Sequence, residues 1–184
     1  MLNNPVFWIC VYLVGYITVL VVLSLKPMLT KVETKIPKHI VRVFILFTFL
    51  MPPVALPFTE GPKIGIPRPV ALILGIVMLV ANFIIKILGQ KEIGKIPAFK
   101  SKGKLVTQGI YGTVRHPLYM SNCLLAMGMA ILFQSVYAFL FSIAYSLSYL
   151  PIIYFEEKDL LKKYGEEYLE YKRRVAWRMI PKLF

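Results

Sequence analysis

Acidic residues, histidine, cysteine and tryptophan are all scarce in this chain. Its 184 residues hold 9 Asp or Glu against 22 Lys or Arg, with 2 His, 2 Cys and 2 Trp. Two histidines, His39 and His116, exclude a multi-histidine metal centre, and neither zinc-type Cys/His spacing nor H-E-x-x-H is present. A serine triad would have to borrow one of the two, and no G-x-S-x-G elbow holds its nucleophile. Also missing are a P-loop and a G-x-G-x-x-G after a strand, the usual phosphate cradles of nucleotide-binding folds. Cys10 and Cys123 each lie in an apolar run and read as small buried hydrophobes, without support for a disulfide or a metal site.

Apolar sequence is what the chain has in quantity. Hydrophobic residues make up 58% and charged residues 17%, the balance of a membrane protein rather than a basic soluble domain. Five runs, near 6–25, 40–58, 68–88, 117–134 and 136–155, approach the length needed to cross a hydrocarbon core of about 30 Å as helix. The expected fold is therefore an all-α integral membrane protein of five transmembrane helices with a cytoplasmic C-terminal helical segment. It reads as a single domain, with three spans in 1–88 and a loop, a helical hairpin and a tail in 89–184. The second run carries Arg42, Pro52, Pro53 and Pro57 and reads as a kinked span, with a re-entrant segment as the alternative. The first run lacks a basic n-region and a small-residue cleavage pattern, so it is expected to stay as a span.

The net charge of +13 invites a nucleic-acid reading, but its distribution points to a membrane. The stretches Lys26 to Arg42, Lys86 to Arg115 and Lys158 to Lys182 hold 5, 7 and 8 Lys or Arg. Five spans put all three on one side and leave only Lys63 and Arg68 for the other. By the positive-inside rule the N-terminus is outside, and the C-terminus and any site beside it are cytoplasmic. Anionic membrane lipids are the natural partners of such a surface, and nucleic acid is not expected.

The stretch Leu105 to Asn122 concentrates the polar groups. Pro117 suits a first helical turn, so a helix opening at Arg115-His116-Pro117 would present unpaired N–H groups, a natural anion site. Arg115, Tyr119 and Asn122 share one face, and His116 and Tyr119 are neighbours. Two readings stay open here: a membrane-interface cluster with a snorkelling arginine, or a ligand site. Glu156-Glu157 close the fifth run, where carboxylates oppose the helix dipole; they read as a solvated helix end or as partners of a cationic ligand. The segment before this stretch, Gly89 to Val114, is a 26-residue polar loop punctuated by Gly89, Gly94, Gly103, Gly109 and Gly112; loops this long are often functional. Ala126 and Ala130 have the small-xxx-small spacing of close-packed membrane helices. Beyond the fifth run, Leu160, Tyr164, Tyr168 and Tyr171 recur at helical spacing. They fit an interfacial amphipathic helix or a lid, with Gly165 ending one helix and Glu166-Glu167 opening the next.

Taken together, Leu105-Val106-Thr107, Gly109-Ile110-Tyr111, Arg115-His116-Pro117-Leu118-Tyr119, Glu156-Glu157 and Tyr164-Gly165-Glu166-Glu167-Tyr168, with Tyr171 after them, resemble one family. It is the isoprenylcysteine carboxyl methyltransferase and phospholipid methyltransferase superfamily, and the likeness covers about Lys104 to Pro181. The resemblance implies a membrane enzyme that uses S-adenosyl-L-methionine to methylate a lipophilic small-molecule substrate. It implies a cofactor pocket lined by Gly103, Lys104, Leu105, Val106 and Tyr111. In it His116, Pro117, Leu118 and Tyr119 would contact the methionine end and Glu156 would hold a ribose or ammonium group, with Arg115, Asn122 and Glu157 as further cofactor-binding residues. Gly103 departs from a histidine frequent in the family and would act through its backbone. Carboxyl methyltransferases of the family place an arginine where this chain has Ile152, which puts a prenylcysteine substrate in doubt unless Arg173 or Arg174 takes over. Sterol-type reductases, whose C-terminal half is similar and binds a nicotinamide cofactor, are the enzymatic alternative, and a non-catalytic membrane protein is the third.

The charge asymmetry makes a direct prediction. A single cysteine replacing Lys63 should be labelled by an impermeant thiol reagent in intact cells, and one replacing Lys172 should not. Labelling in the reverse pattern overturns the orientation.

Overall fold

The structure, a computed structural model, describes residues 2–29, 38–94 and 104–182. Six α-helices follow in order: α1 (Pro5–Leu29), α2 (Lys38–Ala55), α3 (Arg68–Gly94), α4 (Pro117–Leu132), α5 (Val136–Tyr164) and α6 (Glu166–Arg174). Short 3-10 helices occupy Leu56–Phe58 and Gly109–Gly112. Among the described residues no strand forms, and Lys63 and Ser135 make one isolated bridge between loops.

Three helices are long and apolar enough to cross a membrane by length and composition, over Pro5–Ser24, Arg68–Ile93 and Val136–Tyr164. They mark the chain as a membrane protein. Two shorter apolar helices, Val43–Phe58 and Pro117–Leu132, accompany them. At 16 residues, α4 is about 24 Å long, short of a hydrocarbon core of about 30 Å. The outer faces of α1 and α3 carry exposed Val14, Ile17, Ile73, Val77 and Phe83, the surface that lipid rather than water solvates.

Several boundaries differ from the sequence expectation, each for a physical reason. Helix α3 runs to Gly94 rather than stopping near 88, because Gly89 is buried in it, and a Cβ there would stand 2.8 Å from Leu118. Helix α2 stays helical through Pro52 and Pro53 and ends in the 3-10 turn at Leu56. In α5 the carboxylates Glu156-Glu157, read as a helix end where the apolar run closes, lie inside the helix, while Gly165 ends it as expected. No breaker follows them, so the helix continues to Tyr164, with Lys162 and Lys163 matched to its dipole. Gly165, at φ 57°, then turns the chain into α6, whose first turn holds Glu166 and Glu167. Cys10 is exposed on α1 rather than buried, and Cys123 is half-buried.

The core lies between α1, α2, α4 and α5 and is largely aromatic. Tyr12 meets Phe141 edge-on at 5.1 Å and Phe49 at 5.3 Å, and Tyr145 is wholly buried beside them. Such edge contacts add to the area buried. Ala126 and Ala130, at 2% and 0% exposure, let α4 into this core, as their spacing suggests. The opposite side of α4 packs on α3 through glycines that no motif flagged. A Cβ on Gly75 would meet Leu132 Cα at 2.9 Å, and one on Gly128 would meet Met78 Cβ at 3.0 Å. Small residues that let backbones approach are the main source of helix adhesion in lipid, where the hydrophobic effect does not draw helices together.

Gly75→Ala should therefore destabilise the protein by about 1–3 kcal/mol, the usual cost of overpacking. Gly65→Ala, with nothing within 4 Å of the added carbon, should leave the detergent thermal unfolding midpoint unchanged. Equal midpoints for both variants would rule out the close α3–α4 contact.

Candidate functional site

The start of α4 is built by three segments that are far apart in sequence. Pro117 sits at the first helical position, and no side chain caps the helix. Instead the tail runs alongside: Arg115 N–H donates to Trp177 O at 2.9 Å, and His116 N–H donates to Arg178 O at 2.7 Å. The Arg115 side chain completes the clasp by donating through Nη1 to the carbonyls of Val175 and Ala176, both at 2.7 Å. Its Nε and Nη2 donate to Glu157 Oε1 at 2.9 and 2.7 Å. Among the described residues the N–H groups of Leu118 and Tyr119 take no such partner, so two donors of the first turn remain open.

The two adjacent carboxylates do different jobs. The Glu157 side chain is 8% exposed and draws in three further cations, His116 at 3.4 Å, Arg178 at 3.5 Å and Lys172 at 3.9 Å. It is consumed by structure. Glu156 is 42% exposed in its side chain; its Oε2 accepts from Tyr119 Oη at 2.8 Å and lies 3.5 Å from His116 Nδ1. Among the described residues its other oxygen has no such contact. A site with one structural and one available carboxylate can hold a cationic or hydroxyl-bearing ligand without losing its fold.

His116 lies between the pair and is itself buried. Burial pulls its pKa down, but hydrogen bonds and charge from Glu156 and Glu157 more than offset this, and the net direction is up from 6.5. The imidazole ring stacks on Tyr119 at 5.6 Å, and Tyr119 stacks on Tyr149 at 4.7 Å. Tyr111 is half-buried; desolvation first, and then the Glu156 charge, push its phenol up to about 12. Its carbonyl accepts from Tyr171 Oη at 2.8 Å. Tyr168 and Tyr171 are buried, with Val175, against Leu105, Leu160 and Tyr164. The aromatic stripe of α6 thus turns inward against Leu105 and the end of α5.

Of the residues singled out from sequence, the structure brings Arg115, His116, Pro117, Tyr119, Glu156 and Glu157 into one cluster, with Tyr111 near Glu156 and Leu118 in the first turn of α4. Leu105 packs under α6, Val106 is half-buried and Lys104 is exposed. Gly103 lies outside the described residues. Asn122 stands apart, donating through Nδ2 to Tyr149 Oη at 3.1 Å. Arg173 is taken up by Glu166 at 3.5 Å, and Arg174 is exposed at the end of α6, so neither is brought to the cluster. Ile152 lines a cavity of about 210 Å³ between α1, α2, α4 and α5, together with Tyr119, Asn122 and Tyr149. Sequence reading missed Val175 to Arg178, whose contribution is mainly backbone carbonyls and therefore leaves no residue signature.

Residues 70–167 match the model of a protein family described as phospholipid methyltransferase. Among curated proteins, the Delta(14)-sterol reductase of Methylotuvimicrobium alcaliphilum is 30% identical over 97 residues, 46% of this chain and 20% of that protein. The Delta(14)-sterol reductase TM7SF2 of Mus musculus is 28% identical over 91 residues, 44% of this chain and 20% of that protein. The shared region is thus about a fifth of each reductase's length.

The raised His116 pKa has a pH signature. Its charged form is favoured in the fold, so its contribution to stability is full below the ordinary value of 6.5 and is lost as pH rises through the higher folded value. The unfolding temperature should fall over that window, and His116→Gln should flatten the fall. An unchanged pH profile in the variant would refute the charged imidazole.

Proposed function

Since the chain belongs to the phospholipid methyltransferase family, we propose that it is a membrane methyltransferase. In this reading it transfers a methyl group from S-adenosyl-L-methionine to a lipophilic acceptor. The observation that carries the reading is the pairing of one available carboxylate, Glu156, with the open N–H groups of Leu118 and Tyr119. An amino-acid moiety carries a carboxylate and an ammonium group, and this arrangement offers a partner to each. The residues present therefore fit the methionine end of the cofactor: the first turn of α4 would take its carboxylate and Glu156 its ammonium or a ribose hydroxyl.

When bound, the cofactor supplies a sulfonium methyl that is already activated for in-line displacement. The protein's task is then to position and to exclude water. Tyr119 and His116 fix the Glu156 carboxylate. The buried Arg115–Glu157 pair and the inward-facing Tyr168 and Tyr171 hold the tail over the site, where they limit solvent access. In this reading the chain crosses the membrane five times, with α2 and α4 as the two shorter crossings, and the site faces the cytoplasm beside the three clusters of Lys and Arg. The acceptor enters from the bilayer.

A second reading, reduction with a nicotinamide cofactor, draws on the two sterol reductases. It rests on a shared region of about a fifth of their length, whereas the family match spans residues 70–167 of this chain. Calorimetric titration of the purified protein with S-adenosylhomocysteine and with NADPH separates the two. S-adenosylhomocysteine should bind, and Glu156→Ala should weaken it tenfold or more, as loss of a charge-assisted hydrogen bond worth about 1.5–3 kcal/mol implies. Binding of NADPH alone, or undiminished affinity in a folded Glu156→Ala protein, sinks the assignment.

A further inference from the structure

At the opposite end of α4 from the Glu156 cluster, a recess of about 530 Å³ is lined by Lys63, Arg68, Leu72, Leu132, Phe133 and Gln134. Lys63 and Arg68 are the two cations that the charge asymmetry leaves on this side, and both stand exposed on the same recess. Its loops hold it in shape. Gln134, at φ 54°, donates through Nε2 to Ile66 O at 2.7 Å, and Ile64 N–H donates to Gln134 O at 2.7 Å. Val136 N–H donates to Pro62 O at 3.1 Å, so the segment carrying Lys63 is tied to the α4–α5 turn on both sides. A glutamine in the left-handed region is uncommon and costs energy, which these bonds offset.

The two cations are left without a counter-charge. Lys63 Nζ donates to Phe133 O at 3.4 Å, which leaves further N–H groups of the ammonium open. The Arg68 side chain makes no ion pair or hydrogen bond among the described residues. It is the first residue of α3, where a cation opposes the helix dipole, and that first turn holds no acidic residue. No acidic residue is among the described lining residues either. An anion in the recess would offset both the repulsion and the opposed dipole.

We propose that this recess binds the phosphodiester of an anionic glycerophospholipid, with Lys63 and Arg68 on its oxygens and an acyl chain against the apolar wall. The proposal is independent of the methyltransferase reading, because no residue of the Glu156 cluster takes part.

Three observations select this occupant. The Arg68 guanidinium is a fork that matches phosphate oxygens, and Lys63 adds a compact point charge. Leu72, Ile76 and Val80 follow Arg68 at successive helical turns and are all exposed, so one face of α3 passes from cation to lipid-solvated surface. A free phosphate would leave that stripe unused, whereas a phospholipid covers it. With no carboxylate among the described lining residues, a headgroup ammonium gains no partner, which favours an anionic lipid over a zwitterionic one. The volume of about 530 Å³ falls within the roughly 300–1,000 Å³ of small-molecule sites.

The test uses the full-length protein in neutral detergent and a phosphatidylglycerol carrying a photoactivatable diazirine near the glycerol end of one chain. Adducts should map to the start of α3 or to the α4–α5 turn. Unlabelled phosphatidylglycerol should compete about tenfold better than phosphatidylcholine of the same chains, and glycerol 3-phosphate, which lacks the chains, should not compete. Arg68→Gln breaks no contact among the described residues and should lower this labelling about tenfold, as loss of a charge-assisted bond implies. Changing Lys162→Gln together with Lys163→Gln removes more charge at the other end of the bundle and should leave the labelling unchanged. Adducts confined to other segments overturn the proposal, as does unchanged labelling in an Arg68→Gln protein with the unmodified thermal midpoint. Equal competition by phosphatidylcholine removes the anionic headgroup, and competition by glycerol 3-phosphate removes the lipid; either result overturns it too.

Discussion

The buried ion pair between Arg115 and Glu157 is the constraint on which the site depends. Removing two charges from water costs several kcal/mol each, and mutual attraction offsets this only when the remaining donors and acceptors are also matched. Here they are matched by distant parts of the chain. Two guanidinium nitrogens go to Glu157 at 2.9 and 2.7 Å, and the third goes to the carbonyls of Val175 and Ala176. One interaction therefore sets the start of α4 against α5 and draws the tail across both. It also explains why adjacent glutamates differ: with Glu157 committed to Arg115, Glu156 on the neighbouring position keeps a partly exposed side chain.

Among the described residues the buried charged groups, Arg115, His116 and Glu157, lie at this end of the helix bundle, and its aromatic core relies on neutral groups. The chain of hydroxyl and amide contacts from Asn122 through Tyr149 to Tyr145 carries no ionised member, and Tyr12 Oη bonds Ser148 Oγ nearby. This division follows from the solvent. Neutral polar groups at membrane depth are tolerable when paired with one another, whereas ions are costly there. Tyr119 stands at the boundary, with its ring on Tyr149 and its hydroxyl on Glu156.

Much of the site was legible because local rules determine it. Pro117 marks a helix start wherever it follows such a polar run, and Arg115, His116 and Tyr119 then fall where their spacing puts them. Gly165 was equally readable, since few other residues accept φ 57°. What stayed hidden is of two kinds. That Glu156-Glu157 lie inside α5 rather than at a helix end was obscured because they mark the edge of an apolar run, although the helix had no reason to stop before Gly165. The α3–α4 contact and the tail clasp were invisible because they are made by glycines and backbone carbonyls, whose roles depend on which segments meet in space. Ile152 was legible as a departure, but its place in a cavity beside Asn122 needed coordinates.

The clasp of Val175 to Arg178 on Arg115 and His116 sets an order of events during synthesis. Helices α1 to α5 precede these residues in the chain and emerge before them during synthesis. In that interval the Arg115 guanidinium and the N–H groups of Arg115 and His116 lack the carbonyls that later satisfy them, and water must serve instead. Completion of the site therefore follows formation of the bundle: drying of the pocket waits for the last turn of α6 and the residues beyond it.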